Sequence, residues 1–201
     1  MSQTFKNALN KVLAAEGIYS NDPRDPGNWT GRQVGKGILK GTKFGISAAS
    51  YPTLTIFNLT REQAEKIYRR DFWDQLNLTH IEEIQSPLIA DMLFNLGVNC
   101  GTNNAGKFLQ RAINALVIQE HMNIPPQRLS SWQQAILQII SNKALKVDGS
   151  IGSITLSVLG KIPHKMAIAS AIFGEAYNHY TAGKIIYRAG WLNRIGNSYF
   201  I

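Results

Sequence analysis

The sequence predicts a mainly α-helical protein with one small irregular or β-like insertion near its N-terminus. Three observations lead there. Apolar residues recur at helical spacing along most of the chain. Capping residues and glycines stand at the ends of several of those stretches. A tract rich in Gly, Pro, Asn and Asp, from Tyr19 to Pro52, interrupts the pattern once.

Phe5, Leu9, Val12 and Leu13 share one face of a first helix, which Gly17 is placed to close. From Tyr19 to Pro52, Asn21-Asp22-Pro23, Asp25-Pro26-Gly27 and Gly31, Gly35, Gly37, Gly41 and Gly45 call for turns or short strands. A loop of this length inside a compact domain is usually functional. Helices then resume. Thr60-Arg-Glu-Gln63 has capping-box spacing ahead of Ala64, Ile67, Tyr68 and Phe72. Ser86-Pro87 opens a buried helix through Leu88, Ile89, Met92, Leu93 and Leu96, with Gly97 as its expected end. Ala105, Phe108, Leu109, Ala112, Ile113 and Leu116 form the next. Trp132, Ile136, Ile139 and Ile140 form another, and Met166, Ala169, Ile172, Phe173, Ala176, Tyr177 and Tyr180 the longest. The turn from Gly97 to Gly101 is where two halves of the chain meet.

The chain has 201 residues, 44% of them hydrophobic and 17% charged, so it can bury a core and is not a disordered tail. Its 21 Lys plus Arg against 13 Asp plus Glu leave a formal charge of +8, which points to a polyanionic partner without naming one. The single cysteine, Cys100, excludes an internal disulfide framework and suits a reducing compartment. Lys6 and Lys11 break the apolar run that a secretory signal would need, and no stretch has the length of a membrane span. A soluble product without stable membrane insertion is expected.

Glu16 is the first candidate for chemistry. It falls at the C-terminal end of the first predicted helix, among Val12, Leu13 and Ile18, where helix carbonyls and apolar neighbours disfavour ionisation. A carboxyl kept protonated near neutral pH is what a general acid in glycoside cleavage requires. Position alone fits a solvated helix end as well. Asp22 and Asp25 follow in the turn-rich segment, and such cleavage commonly uses two carboxylates in different environments. Each is explained at least as readily as a turn former. Thr42, just before Lys43-Phe-Gly-Ile-Ser47, has a hydroxyl suited to holding a water or a sugar, though threonine is common in strands anyway. Tyr19 and Trp29 offer faces for sugar stacking; Phe72 and Trp73 fit a core better.

Glu16-Gly-Ile-Tyr-Ser-Asn-Asp-Pro-Arg-Asp-Pro-Gly27, followed by Thr42-Lys-Phe-Gly-Ile-Ser47, resembles the EGGYSNDPxDPGG…TxxGIS signature of glycoside hydrolase family 108, the N-acetylmuramidases of phage endolysins and prophage regions. Phe72-Trp73, Leu93-Phe-Asn-Leu-Gly-Val-Asn-Cys-Gly101, Leu109-Gln-Arg-Ala-Ile113, Val147-Asp-Gly-Ser-Ile-Gly152 and Gly190-Trp191-Leu-Asn-Arg194 are similar to its further motifs, in the same order. The resemblance implies a lysozyme-like fold and cleavage of the β-1,4 bond between N-acetylmuramic acid and N-acetylglucosamine in peptidoglycan. It implies that Glu16 is the catalytic acid, with Asp25 as a second carboxylate and Thr42 as the later threonine; Asp22 and Thr30 stand as the competing assignments. It further implies a catalytic region at 1–96 and a helical peptidoglycan-binding region at 97–201, packed on the first. Ile18 replaces the second glycine of the signature, and Arg32 to Lys40 lengthens the loop.

The other motifs are decoys. Gly35-Lys-Gly-Ile-Leu-Lys-Gly-Thr-Lys43 has the wrong order for a phosphate loop. Asp148-Gly149 lacks the alternating acids of a calcium loop and reads as a tight turn. His80, His121, His164 and His179 show no metal-ligand spacing, so neither a metal nor a cofactor is expected. Arg32, Lys36, Lys40 and Lys43 occur with no acid among them, and Lys184, Arg188 and Arg194 follow the last acid, Glu175. Such charge suits anionic envelope polymers, and equally solubility and general adhesion; no nucleic-acid motif accompanies it. The expected protein is a monomeric endolysin, held in the host cytoplasm until a holin-type lesion admits it to the wall. A non-catalytic wall-binding or secretion-accessory protein is the rival reading.

Overall fold

The computed structural model describes residues 2–15, 19–117, 125–141 and 143–182. Glu16, Gly17, Ile18 and His121, the Gly190–Arg194 motif, and Lys184, Arg188 and Arg194 lie outside the described residues. The chain forms two compact units, Met1–Asp71 and Phe72–Ile201. The sequence-based division at 96/97 falls inside a helix of the second unit, Pro87–Cys100.

In the first unit, α1 (Gln3–Ala15) buries Phe5, Ala8, Leu9 and Leu13, and the Ser2 hydroxyl caps its start by accepting from Phe5 N–H at 3.2 Å. The Tyr19–Pro52 tract is mostly turns, with one antiparallel hairpin of β1 (Thr42–Lys43) and β2 (Ile46–Ser47). Its two-residue loop, Phe44-Gly45, has positive φ at both positions (53° and 73°), the mark of the type I′ turn that matches strand twist. α2 (Arg61–Tyr68) begins at the expected capping box of Thr60 and Gln63. Long-range bonds then place it: Tyr68 Oη donates to Phe44 O at 3.0 Å, and Arg61 Nη2 to Asn10 Oδ1 at 2.6 Å. Ile46, Ile56, Leu59, Ala64, Ile67 and Tyr68 complete the core of this unit. A π-helical turn, Arg69–Trp73, follows. In it the Arg70 guanidinium holds the Asp71 carboxyl below its usual range. Burial, aided by the hydrogen bond to Asp71, raises the Tyr51 phenol.

The second unit is a helical assembly: α3 (Leu78–Ile84), α4 (Pro87–Cys100), α5 (Thr102–Val117), α6 (Ser131–Ile139), α7 (Ser153–Leu159) and α8 (Lys165–Ala182). α4 is its centre and packs against α3, α5 and α8. Ile89, Ala90, Met92, Leu93, Phe94 and Leu96 are all buried, as a helix apolar on every side requires. The expected end of α4 at Gly97 is corrected by the structure. The helix continues to Cys100 and stops at Gly101, whose φ of +87° is open to glycine. Gly97 serves packing instead, since a Cβ there would lie 2.9 Å from Leu76 Cδ1. α8 also turns away from the predicted stripe: Ile168, Ala169, Ile172, Ala176 and Tyr180 are buried, whereas Met166 and Tyr177 are exposed. Trp73 is fully buried, with its ring N–H donating to Thr79 Oγ1 at 3.0 Å. The half-buried Cys100 thiol donates to Leu96 O, and burial pushes it up to about 11, which disfavours the thiolate. Among the described residues no helix is long and apolar enough to cross a membrane.

Asp148-Gly149 is a tight turn, with Ser150 N–H donating to Asp148 Oδ1 at 2.9 Å and Gly149 at φ +84°. Gln110 fastens it to α5 by donating to Asp148 Oδ1 at 3.0 Å and accepting from Gly149 N–H at 2.7 Å. The Gln110 bond, then the Ser150 amide and Lys146, lower the Asp148 carboxyl from 3.8 to about 2. A depressed folded value stabilises above the unfolded one and is lost as pH falls through the folded one. Asp148→Asn is therefore expected to melt below wild type at neutral pH, with the gap in Tm closing between pH 3.8 and about 2. A gap that stays constant in a thermal melt series across that range would show that the charge contributes nothing.

Candidate active site

The site is built on the loop that follows α1. Two isolated pairings fold it back on itself. Ser20 and Thr42 exchange both backbone hydrogen bonds, at 2.9 and 2.7 Å, and Trp29 bridges Leu39. The lengthened segment between Trp29 and Leu39 thus starts and ends at one place. Gly41, at φ +83°, lets the strands close: a Cβ there would stand 2.5 Å from Ser20 O and 2.7 Å from the Tyr19 ring.

Inside the fold-back, Pro26–Asn28 is a 3₁₀ turn with a local cause. Pro26 has the φ the turn needs, and Asp25 caps it by accepting from Gly27 N–H at 2.8 Å through Oδ1. Asp25 itself is exposed. Asp22 is arranged differently. It accepts from Arg24 N–H at 2.9 Å and takes the Arg24 guanidinium across both oxygens, at 2.8–3.2 Å. The Arg24 hydrogen bonds lower its pKa. The pair is exposed, so it organises the turn more than it stabilises the protein.

The residue that joins these parts is Asn28, which is fully buried. Its amide Nδ2 donates to Asp22 O at 3.0 Å, and its Oδ1 accepts from Thr42 Oγ1 at 2.7 Å. Its backbone carbonyl accepts from both Lys40 and Gly41 N–H, at 3.0 and 3.1 Å. One side chain therefore holds the Asp22–Asp25 turn against the first strand of the hairpin. Nothing in the sequence singled Asn28 out, because asparagine in a turn-rich loop is ordinarily a turn former. Only its burial, which forces every polar atom to find a partner, marks it.

The remaining candidates belong to the same web. The Trp29 ring N–H donates to Pro23 O at 2.8 Å, and Tyr19 Oη donates to Lys40 O at 3.3 Å. The Thr42 hydroxyl gives its proton to Asn28, which leaves its lone pairs for a water or sugar hydroxyl. Thr30 is a loop fastener: its Oγ1 accepts from Ile38 N–H at 2.9 Å. Three cations of the glycine-rich tract are fasteners too. Arg32, Lys40 and Lys43 donate to the carbonyls of Ala49, Pro52 and Phe57 at 3.0, 2.7 and 2.9 Å. The structure thus brings Tyr19, Asp22, Asp25, Trp29 and Thr42 into one hydrogen-bonded loop; Glu16, which precedes it in sequence, lies outside the described residues.

The second unit carries a cleft of about 460 Å³, lined among others by Ile139, Leu145, Ile154, Lys143 and Lys146. That size is within the range of small-ligand sites.

A mainly α, lysozyme-like protein with a short hairpin and a carboxylate-bearing loop is the class that these features define. Residues 9–101 match the family model described as Glycosyl hydrolase 108, so this segment, just under half of the chain, carries the pattern of a glycoside hydrolase. Among solved structures the chain is similar to that of Brucella abortus SagA, with a TM-score of 0.63 and 20% identity over 96% of this chain and 90% of that one. That likeness is one of fold. No curated protein matches.

Proposed function

We propose that the protein is a peptidoglycan hydrolase of the N-acetylmuramidase type, which cleaves the β-1,4 bond between N-acetylmuramic acid and N-acetylglucosamine. The observation that carries this reading is the loop directly after Glu16. It lies in the segment that matches a glycoside hydrolase family, and Asn28 ties its Asp22–Asp25 turn to Thr42. In this reading Glu16 protonates the leaving oxygen. Asp25, exposed and tied to Gly27 N–H by one oxygen, faces the developing oxocarbenium charge or activates water. Asp22, both of whose oxygens are taken by Arg24, shapes the turn.

The region 97–201 is read as peptidoglycan-binding, with the Ile139–Ile154 cleft as its candidate surface. In the cell the protein acts as an endolysin, made inside the bacterium and reaching the wall after the membrane is permeabilised. The test is digestion of purified sacculi followed by borohydride reduction and mass spectrometry. Reduced muramic acid at the new ends is the expected product. Reduced glucosamine would make the protein a glucosaminidase, and an uncut glycan would sink the hydrolase reading.

A further inference from the structure

Among the described residues of the first unit, Phe57 is the most exposed large apolar side chain, at 65%. Single exposed apolar residues are ordinary; this one is held in position from three sides. It sits in a 3₁₀ turn, Ile56–Asn58, whose flanking residues Ile56 and Leu59 are buried in the core. Its carbonyl accepts from Lys43 Nζ at 2.9 Å, and Lys43 follows Thr42 in β1. Its ring meets the Tyr19 ring edge-on, with centroids 5.3 Å apart and planes at 80°. Tyr19 is itself fixed, by its bond to Lys40 O and by its seat against Gly41. The result is an aromatic ring with little freedom left to lose, most of its surface in water, attached to the strand that carries Thr42.

We propose that Phe57 is a sugar-stacking platform that takes the apolar C–H face of an N-acetylated pyranose of the glycan, with Tyr19 as its brace. A pyranose has a weakly polar face and a rim of hydroxyl groups. A braced ring meets the face, and the neighbouring Lys43 ammonium, which has two further protons, meets the rim. The half-buried Trp29, with its ring N–H committed to Pro23, offers less open surface. The proposal rests on the glycan-cleaving reading for its substrate class.

The test uses the full chain and Phe57→Ala, with Phe57→Trp as the conservative control. On soluble glycan fragments, Phe57→Ala is expected to raise KM about tenfold with kcat within about twofold, and Phe57→Trp to recover the wild-type KM. The melting temperature should move little, because most of the ring is exposed and its edge contact with Tyr19 is the main packing lost. Separately, titration of wild type with the tetramer of N-acetylglucosamine should shift the Phe57 ring resonances in an NMR spectrum, and Phe57→Ala should bind it about tenfold more weakly. An unchanged KM, or tetramer binding equal in wild type and Phe57→Ala, overturns the platform even if the enzyme cuts glycan. If no glycan is cut but the tetramer binds through Phe57, the hydrolase reading falls and the platform stands.

Discussion

Glu16→Gln is expected to lower the rate of glycan cleavage roughly 100- to 10,000-fold, the range that loss of a general acid produces. Glutamine keeps the size and hydrogen-bonding capacity of the side chain and removes only its transferable proton. The measurement is release of reducing ends from sacculi, with a thermal melt to show that the variant is folded. Near-full activity in a folded Glu16→Gln protein would remove Glu16 from the mechanism. The two aspartates separate in the same assay. Asp25→Asn keeps an acceptor for Gly27 N–H and loses the negative charge, so it should lose most of its activity while staying folded. Asp22→Asn gives up the Arg24 ion pair at the surface and should lose much less. The reverse order would exchange their roles.

Asn28→Ala is expected to destabilise the protein by about 1–3 kcal/mol, since it removes two part-buried hydrogen bonds, to Asp22 O and from the Thr42 hydroxyl. Urea unfolding gives the number. Activity should fall further than stability alone explains, because the turn that carries Asp25 would no longer be held against β1. A variant within about 0.5 kcal/mol of wild type, the range of ordinary surface substitutions, would show that the loop holds its shape without this side chain. Asn28→Asp should not rescue it: a carboxylate accepts from Thr42 but has no proton for Asp22 O.

Much of the helical architecture was legible in the residues because the signals are local. A capping box at Thr60–Gln63 and a Ser86-Pro87 start satisfy amide groups within one turn, so composition at a few neighbouring positions is enough to announce them. The short helices α3 and α7, with seven residues each, were missed because two turns are too few to establish a period. At the end of α4 two glycines competed. Sequence favours the first, and packing against Leu76 reassigns it to the helix interior. α8 shows the same limit on a face. Its apolar residues surround the helix, and the neighbours it packs against, mainly α5, decide that Ile168 is covered and Met166 is not.

The candidate site divides in the same way. Residue types and spacing were enough to name Glu16, Asp22 and Asp25 as candidate carboxylates, to put the two aspartates in a turn-rich loop after the first helix, and to place a threonine beyond it. Asp25 capping Gly27 and Asp22 gripping Arg24 are contacts across two residues, and such contacts are encoded where they occur. Tertiary structure alone decided that Ser20 pairs with Thr42, that Asn28 is buried between them, and that Phe57 is braced by Tyr19. Those partners are far apart in the chain. Closing such loops costs entropy that no local pattern repays, so the pairings form only when the packed core brings the segments together.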